Sequence, residues 1–408
     1  MWQTRFTQEI YLDEIKGEMI AMGDNTIHIL FSILRSVFHG NQMSDADKRL
    51  VTDDLLKDVI KLASKHDIAH LIALGILNND LADEETKTQL QQITFRAVYR
   101  YEKLNYELKQ VCEALEKAQM PFLPLKGSVI RKYYPEPWMR TSCDIDVLVH
   151  EKNLRTAVSY LVENLKYTEH WQNSHDISLF SPSGNHIELH YDLVENHIAG
   201  SSSKILADVW NVVTVKEDCS YHYEMPDDMF YFYHIAHMAK HFENGGCGIR
   251  PFIDLLILDN LQEVDNKKRD NLLEQGDLLK FANAARKLSQ IWLSNEPYDL
   301  VSKQMEAYIL RGGVYGNNEN RITVQQQKKG GRFKYVLSKI FIPYDVIKFH
   351  YPILQKHRWL TPFMEVRRWC KLIFCGHLKR TAKEIRYNNH ITNDEAADVQ
   401  NFLESIGL

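Results

Sequence analysis

Residues 125–150 read LKGSVIRKYYPEPWMRTSCDIDVLVH, a glycine-serine pair followed by two aspartates one residue apart. Side chains in a strand alternate faces, so Asp144 and Asp146 project from one face about 7 Å apart, with Ile145 and Val147 on the other. Charge on an otherwise apolar strand is costly unless something pairs with it. Mg²⁺ is a natural partner, because it takes one or two carboxylates and completes its shell with phosphate oxygens of a substrate. Gly127 would let the backbone approach such a phosphate, and a helix opening at Ser128 would aim its N–H groups there. An edge strand with a solvated polar face is the plainer explanation of Asp-x-Asp taken alone.

Further along, HIELHYDL puts Glu188 on one face with His186 and His190, while Ile187 and Leu189 point the other way. Asp176 and Asp192 are the alternative carboxylates nearby. His234, His237 and His241 stand at i, i+3 and i+7, which suits one helix face. That motif holds no cysteine or carboxylate ligand, so a packed or substrate-facing set is favoured over a metal face. Asp254 in RPFIDLL is placed to orient one of these imidazoles.

These residues need elements to position them. Residues 1–120 read as helical: Tyr101, Leu104, Leu108, Val111, Leu115 and Ala118 make one continuous face, and Asp24, Asn25 and Ser44 are helix-start signals. Between Pro121 and Val215 the order is strand (FLPLKG), short helix from Ser128 to Tyr134, strand (DIDVLVH) and helix (EKNLRTAVSYLVENL). Three short strands follow, the last two joined by a turn at Ser183-Gly184-Asn185. Residues 216–312 are again helical. The polar run GNNENRITVQQQKKGG reads as a linker or mobile loop, and 313–408 as that linker plus a basic aromatic helical tail. The expected fold class is α+β, a small mixed-sheet core at 121–215 flanked by helical domains.

Composition narrows the function classes. With 44% hydrophobic and 25% charged residues, the chain matches an ordinary globular protein, and 408 residues suit two or three compact units. Its first residues, MWQTRFTQEIYLDEIKGEM, carry acids and no apolar core of a secretory leader, and no uncharged run reaches the length of a membrane span. Six scattered cysteines without a C-x-x-C pair argue against zinc knuckles and a disulfide framework, which makes the cytoplasm the expected compartment.

The glycine-serine and aspartate motifs together resemble the signature of the DNA polymerase β-like nucleotidyltransferase superfamily. Within it the chain is similar to a bacterial group of uncharacterised nucleotidyltransferases often encoded among cell-surface polysaccharide genes. The matching residues are Leu125-Lys126-Gly127, Tyr134-Pro135-Glu136-Pro137, Arg140, Asp144-Ile145-Asp146-Val147-Leu148-Val149 and Ile187-Glu188-Leu189-His190. HIAHMAKH and RPFIDLL extend the likeness, which covers roughly residues 95–260. Lys126 departs from the apolar residue usual in the wider superfamily, and fifteen residues between Ser128 and Asp144 exceed the spacing of its compact members. Both features agree with the bacterial group.

The resemblance implies that Asp144, Asp146 and Glu188 bind two Mg²⁺ ions. It implies in-line attack by an acceptor on the α-phosphate of ATP or another nucleoside triphosphate. Gly127 and Ser128 would hold the β- and γ-phosphates, with Lys126 and Arg140 as candidates to neutralise them. Pairing with Glu136 or capping of the loop is the alternative for Arg140. The helical domain would close over the nucleotide, with His190, His234, His237 and His241 at the acceptor pocket. A catalytically idle relative and a toxin-like transferase acting on tRNA or protein are the competing implications.

The tail stands apart in charge. From Arg321 to Arg386 there are 16 Lys and Arg against three acids, a local +13 that leaves −18 on the rest of the chain. Trp359, Phe363, Trp369 and Phe374 lie among these cations. Docking on the acidic remainder is the expected arrangement, with both tryptophans buried. A peripheral contact of residues 330–386 with the inner face of a membrane comes second, and RNA binding third.

Overall fold

A computed structural model describes residues 23–408 apart from 174, 194–199, 263, 315, 375–383, 389, 390 and 392. Residues 1–22, on which the expectation about a secretory leader rests, and Cys375 lie outside the described residues. The first helices begin where short polar side chains can take up free N–H groups. Ser44 caps Asp45–Leu50 by accepting from Asp47 N–H, Thr52 caps Asp53–Lys65, and Asp83 caps the long helix Glu84–Lys117. Asp24 falls inside the first turn of Asp24–His39, after Gly23. The long helix serves two cores: Leu90 packs into the helical bundle, whereas Leu104, Val111 and Leu115 pack beneath the sheet.

The α+β expectation is met. Five strands, β1 (Phe122–Pro124), β2 (Asp144–Val149), β3 (Thr168–Gln172), β4 (Asp176–Phe180) and β5 (His186–His190), form one sheet in the order β1-β2-β5-β4-β3. β2 and β5 run parallel, and the other neighbours antiparallel. A parallel pair needs a long crossover, supplied here by the helix Leu154–Leu165 together with β3 and β4. The turn at 181–185 does join β4 to β5, with Gly184 at φ +83°, a left-handed conformation that favours glycine.

Alternation then sorts the side chains. Ile145, Val147, Ile177, Leu179, Ile187 and Leu189 face the long helix and Leu154–Leu165, all fully buried. The opposite face carries aspartates, glutamate and histidines.

Helices Asp227–Glu243, Arg250–Asp259, Asn266–Gln275, Leu279–Ser294 and Leu300–Leu310 build the larger core, where the Trp292 ring stacks on Phe31 with centroids 4.5 Å apart. Two expectations are corrected beyond it. The polar run read as a linker forms the helix Asn318–Lys328, capped by Asn317, with Ile322 and Val324 buried. Its many amides mask two apolar contacts that suffice to seat it. Docking of the tail is carried by the helix Asn393–Ile406, which places Phe402, Leu403 and Ile406 in the large core. Trp359 is 69% exposed, and Trp369 is half-buried. Among the described residues, no helix is long and apolar enough to cross a membrane.

Removing residues 393–408 should therefore lower the melting temperature markedly, since each buried Phe, Leu or Ile side chain is worth about 1.5–3 kcal/mol. An unchanged melting temperature in that truncation would show that the helix is not part of the core.

Candidate active site

The parallel register decides which polar groups meet. Asp144 lies opposite His186, Asp146 opposite Glu188 and Leu148 opposite His190. Neighbouring strands are about 4.8 Å apart, so Asp146 and Glu188 stand side by side. Two groups of donors result, Asp144 with His186 and Glu188, and Asp146 with Glu188 and His190; within each, the donor atoms lie within 4.8 Å of one another. Glu188 belongs to both. Asp176 joins a third group with His175 and His190. Asp192 instead lines a polar cavity of about 510 Å³ with Glu151, Tyr344 and Lys348.

Like charges this close repel, and the structure shows what offsets them. Asp146 Oδ1 accepts from Lys126 Nζ at 2.8 Å and lies 2.8 Å from His190 Nε2. A carboxylate can only accept, so this contact places a proton on Nε2. Burial by itself would raise the Asp146 carboxyl, but Lys126 and His190 outweigh it and hold the group well below the usual carboxylate range. Burial likewise opposes protonation of His190, yet its bonds to Asp146 and Glu188 push it upward. Asp144 is the opposite case: burial, reinforced by Asp146 and Glu188, pushes it up to about 6 despite Lys126. Relief of like-charge repulsion would therefore follow removal of the Asp144 charge, whereas neutralising Asp146 would strand Lys126.

Lys126 reaches Asp146 from a strained backbone. Its φ of +47° and ψ of −123° are rare for a residue with a Cβ, and such strain persists where surroundings fix it. Leu125 N–H donates to Asp146 C=O at 3.0 Å, which pins the turn to β2. The following helix is short, Gly127–Ile130, continued by a 3₁₀ turn over Arg131–Tyr133. Ser128 N–H donates to Leu125 C=O, and Val129 and Ile130 N–H to Lys126 C=O. Those amides close the turn itself, so a dipole-driven phosphate site at the helix start has little support. Gly127 is needed for packing, because a Cβ there would sit 3.2 Å from Ser142 Cβ.

Arg140, expected at the triphosphate, is engaged elsewhere. Its Nε and Nη2 donate to the two oxygens of Asp254 at 2.7 and 2.8 Å, its Nη1 donates to Thr141 C=O, and Tyr134 Oη donates to Asp254 Oδ1. The pair is buried, and breaking one partner of such a pair typically costs about 3–5 kcal/mol. Asp254 is thus the partner of Arg140 and Tyr134. Of the imidazoles it was expected to orient, His234 has Nε2 against Pro251 C=O at 3.1 Å.

The histidines do not act as one group. His190 sits in the carboxylate cluster, and the His237 and His241 rings are 4.5 Å apart on the helix Asp227–Glu243. Burial, with His241 and Lys126 adding to it, holds His237 well below the usual imidazole range. None of His234, His237 and His241 belongs to a described group able to hold an ion.

Two residues escaped sequence reasoning. Arg131 Nε donates to Gly127 C=O and Nη2 to Ser142 Oγ, each at 2.8 Å, and burial with the nearby Arg140 lowers it to about 10. Its position four residues past Gly127, back over the same short helix, was the available signal. Tyr233 is buried with its phenol pushed up by burial and by Asp146, against Lys126. Its spacing of four from His237 was the only hint.

A mixed sheet with adjacent carboxylates on its central parallel pair, and a glycine-serine turn leading off the neighbouring strand, is the arrangement that the resemblance to nucleotidyltransferases implies. A family model described as an uncharacterised nucleotidyltransferase matches residues 54–294, and the chain belongs to that family. No curated protein and no solved structure matched the chain.

A carboxyl that holds its proton more tightly when folded supports the fold at low pH and costs stability as pH climbs through its folded value. For Asp144 that window runs from 3.8 through about 6. In EDTA, Asp144→Asn should melt above wild type at pH 7.5, with the gap closing toward pH 4. Equal melting curves at pH 7.5 would contradict the crowding of these acids.

Proposed function

We propose that this enzyme transfers a nucleoside monophosphate from a nucleoside triphosphate to a hydroxyl acceptor, using Asp144, Asp146 and Glu188 with Mg²⁺. The observation that carries the reading is the register that sets Asp146 beside Glu188, with Asp144 on the same face. Membership of the nucleotidyltransferase family supports the reaction class. Two donor groups sharing Glu188 suit two ions, and their carboxylate oxygens fit hard divalent cations. When bound, such ions supply Lewis-acid stabilisation of the attacking, bridging and leaving oxygens.

The chain's own residues have separable tasks. Lys126 and His190 keep Asp146 ionised at neutral pH. Asp144 has no ion-pair partner among the described residues, so its carboxylate is the one free to take the acceptor hydroxyl's proton. Lys126 and Arg131 give the Gly127–Ser128 turn a positive setting, and the Ser128 hydroxyl adds a donor for the β- and γ-phosphates. Arg140 acts through Asp254 as a positioning residue, tying the loop before β2 to the helix Arg250–Asp259. Tyr233 and His237, both of which feel the charges of Lys126 and Asp146, support the helix Asp227–Glu243 as a wall of the proposed acceptor pocket.

One observation favours a second reading, a nucleotide-binding relative without turnover: Lys126 already neutralises Asp146. Labelled nucleotides separate the two. Purified protein with Mg²⁺, each nucleoside triphosphate, and small-molecule or macromolecular extracts should move an α-phosphate label to an acceptor and release the γ-label as pyrophosphate. Asp146→Asn and Glu188→Gln should each slow this on the order of a hundredfold or more. Binding of nucleotide with no transfer in any extract supports the idle relative, and γ-label on the acceptor would sink nucleotidyl transfer.

A further inference from the structure

The tail presents large apolar side chains to solvent. Phe333, Leu337 and Phe341 recur every four residues along and just beyond the helix Arg332–Ile340, exposed by 75, 37 and 63%. Trp359, Phe363 and Val366, spaced four and three apart, are 69, 64 and 63% exposed where the helix Thr361–Phe374 begins. The stripes meet at an apolar groove of about 490 Å³ whose lining includes Phe341, Pro362, Val366 and Trp369. A contiguous apolar surface of this kind marks an interaction site more often than chance exposure.

The surrounding charge says what covers it. Between 332 and 371 there are nine Lys and Arg against Asp345 and Glu365. Arg332 and Lys334 on either side of Phe333 in the chain, Arg358 next to Trp359 and Arg367 next to Val366 are exposed, as are Lys356 and Lys371. Glu365 also lines the groove but is buried, with Oε1 accepting from Ile342 N–H and Oε2 from Arg368 Nε. An apolar strip flanked by exposed cations, with an acid withdrawn, is the pattern of a surface that lies in the headgroup region of an anionic bilayer. Stacked nucleic-acid bases would use Phe333, Trp359 and Phe363, but gain little from Leu337, Val366 and Ile353, which is also 48% exposed. Those aliphatic side chains gain from hydrocarbon.

We infer that residues 332–371 form a peripheral membrane-binding surface for anionic lipid. Full-length protein should sediment with vesicles of phosphatidylcholine mixed with phosphatidylglycerol, poorly with phosphatidylcholine alone, and be released as salt rises. The triple variant Trp359→Ala, Phe363→Ala, Val366→Ala should lose on the order of tenfold or more in vesicle binding at an unchanged melting temperature, because these side chains are exposed. Arg358→Gln with Arg367→Gln and Lys371→Gln should lose on the order of a hundredfold through charge alone. No sedimentation with the anionic vesicles overturns the inference, and so does binding that both triple variants leave intact. Protein that binds RNA through these side chains but no vesicle overturns it as well.

Discussion

The parallel pairing of β2 with β5 is the constraint on which the site depends. It puts Asp146 and Glu188 at one level of the sheet, an arrangement that opposes folding unless cations are near. The fold supplies one of its own, Lys126, and adds the Nε2–H donor of His190, both on Asp146 Oδ1. Asp144 has no such help and is pushed toward neutrality. The carboxylates are thus electrostatically unequal before any ligand arrives, one held ionised and another crowded.

The rest of the molecule keeps that register in place. A one-residue slip of β5 would bury Glu188 and expose Ile187 and Leu189, so the apolar back face specifies the pairing strongly. The helix Glu84–Lys117 fastens this layer to the helical bundle. A second tie is the buried set of Arg140, Asp254 and Tyr134, which fixes the approach to β2 against the helix Arg250–Asp259. The loop carrying Gly127 and Arg131 packs over Ser142, two residues beyond Arg140.

Much of this was legible in the sequence because it is local. Alternation in DIDVLVH and HIELH gave the strands and the face each acid occupies, and Ser44 announced its helix by capping chemistry. Partners distant along the chain were not legible. Arg140 finds Asp254 114 residues away, and nothing near either residue names the other. Lys126 looked like a phosphate ligand because its backbone strain and its reach to Asp146 exist only once β1 and β2 are paired. The helix Asn318–Lys328 was hidden by composition, since two buried apolar residues among amides make no visible periodicity. In the tail, charge and aromatic content were plain, but which segment docks depended on Phe402, Leu403 and Ile406, in a helix outside the basic stretch.

The most direct measurement is anomalous diffraction from crystals grown with Mn²⁺ and a non-hydrolysable nucleoside triphosphate. The geometry requires Mn²⁺ peaks within bonding distance of Asp144, Asp146 and Glu188, with the triphosphate running along Gly127, Ser128 and Arg131. Mn²⁺ held only by His175, Asp176 and His190, or a triphosphate bound away from β2 and β5, would contradict the assignment of this sheet face as the site of nucleotidyl transfer.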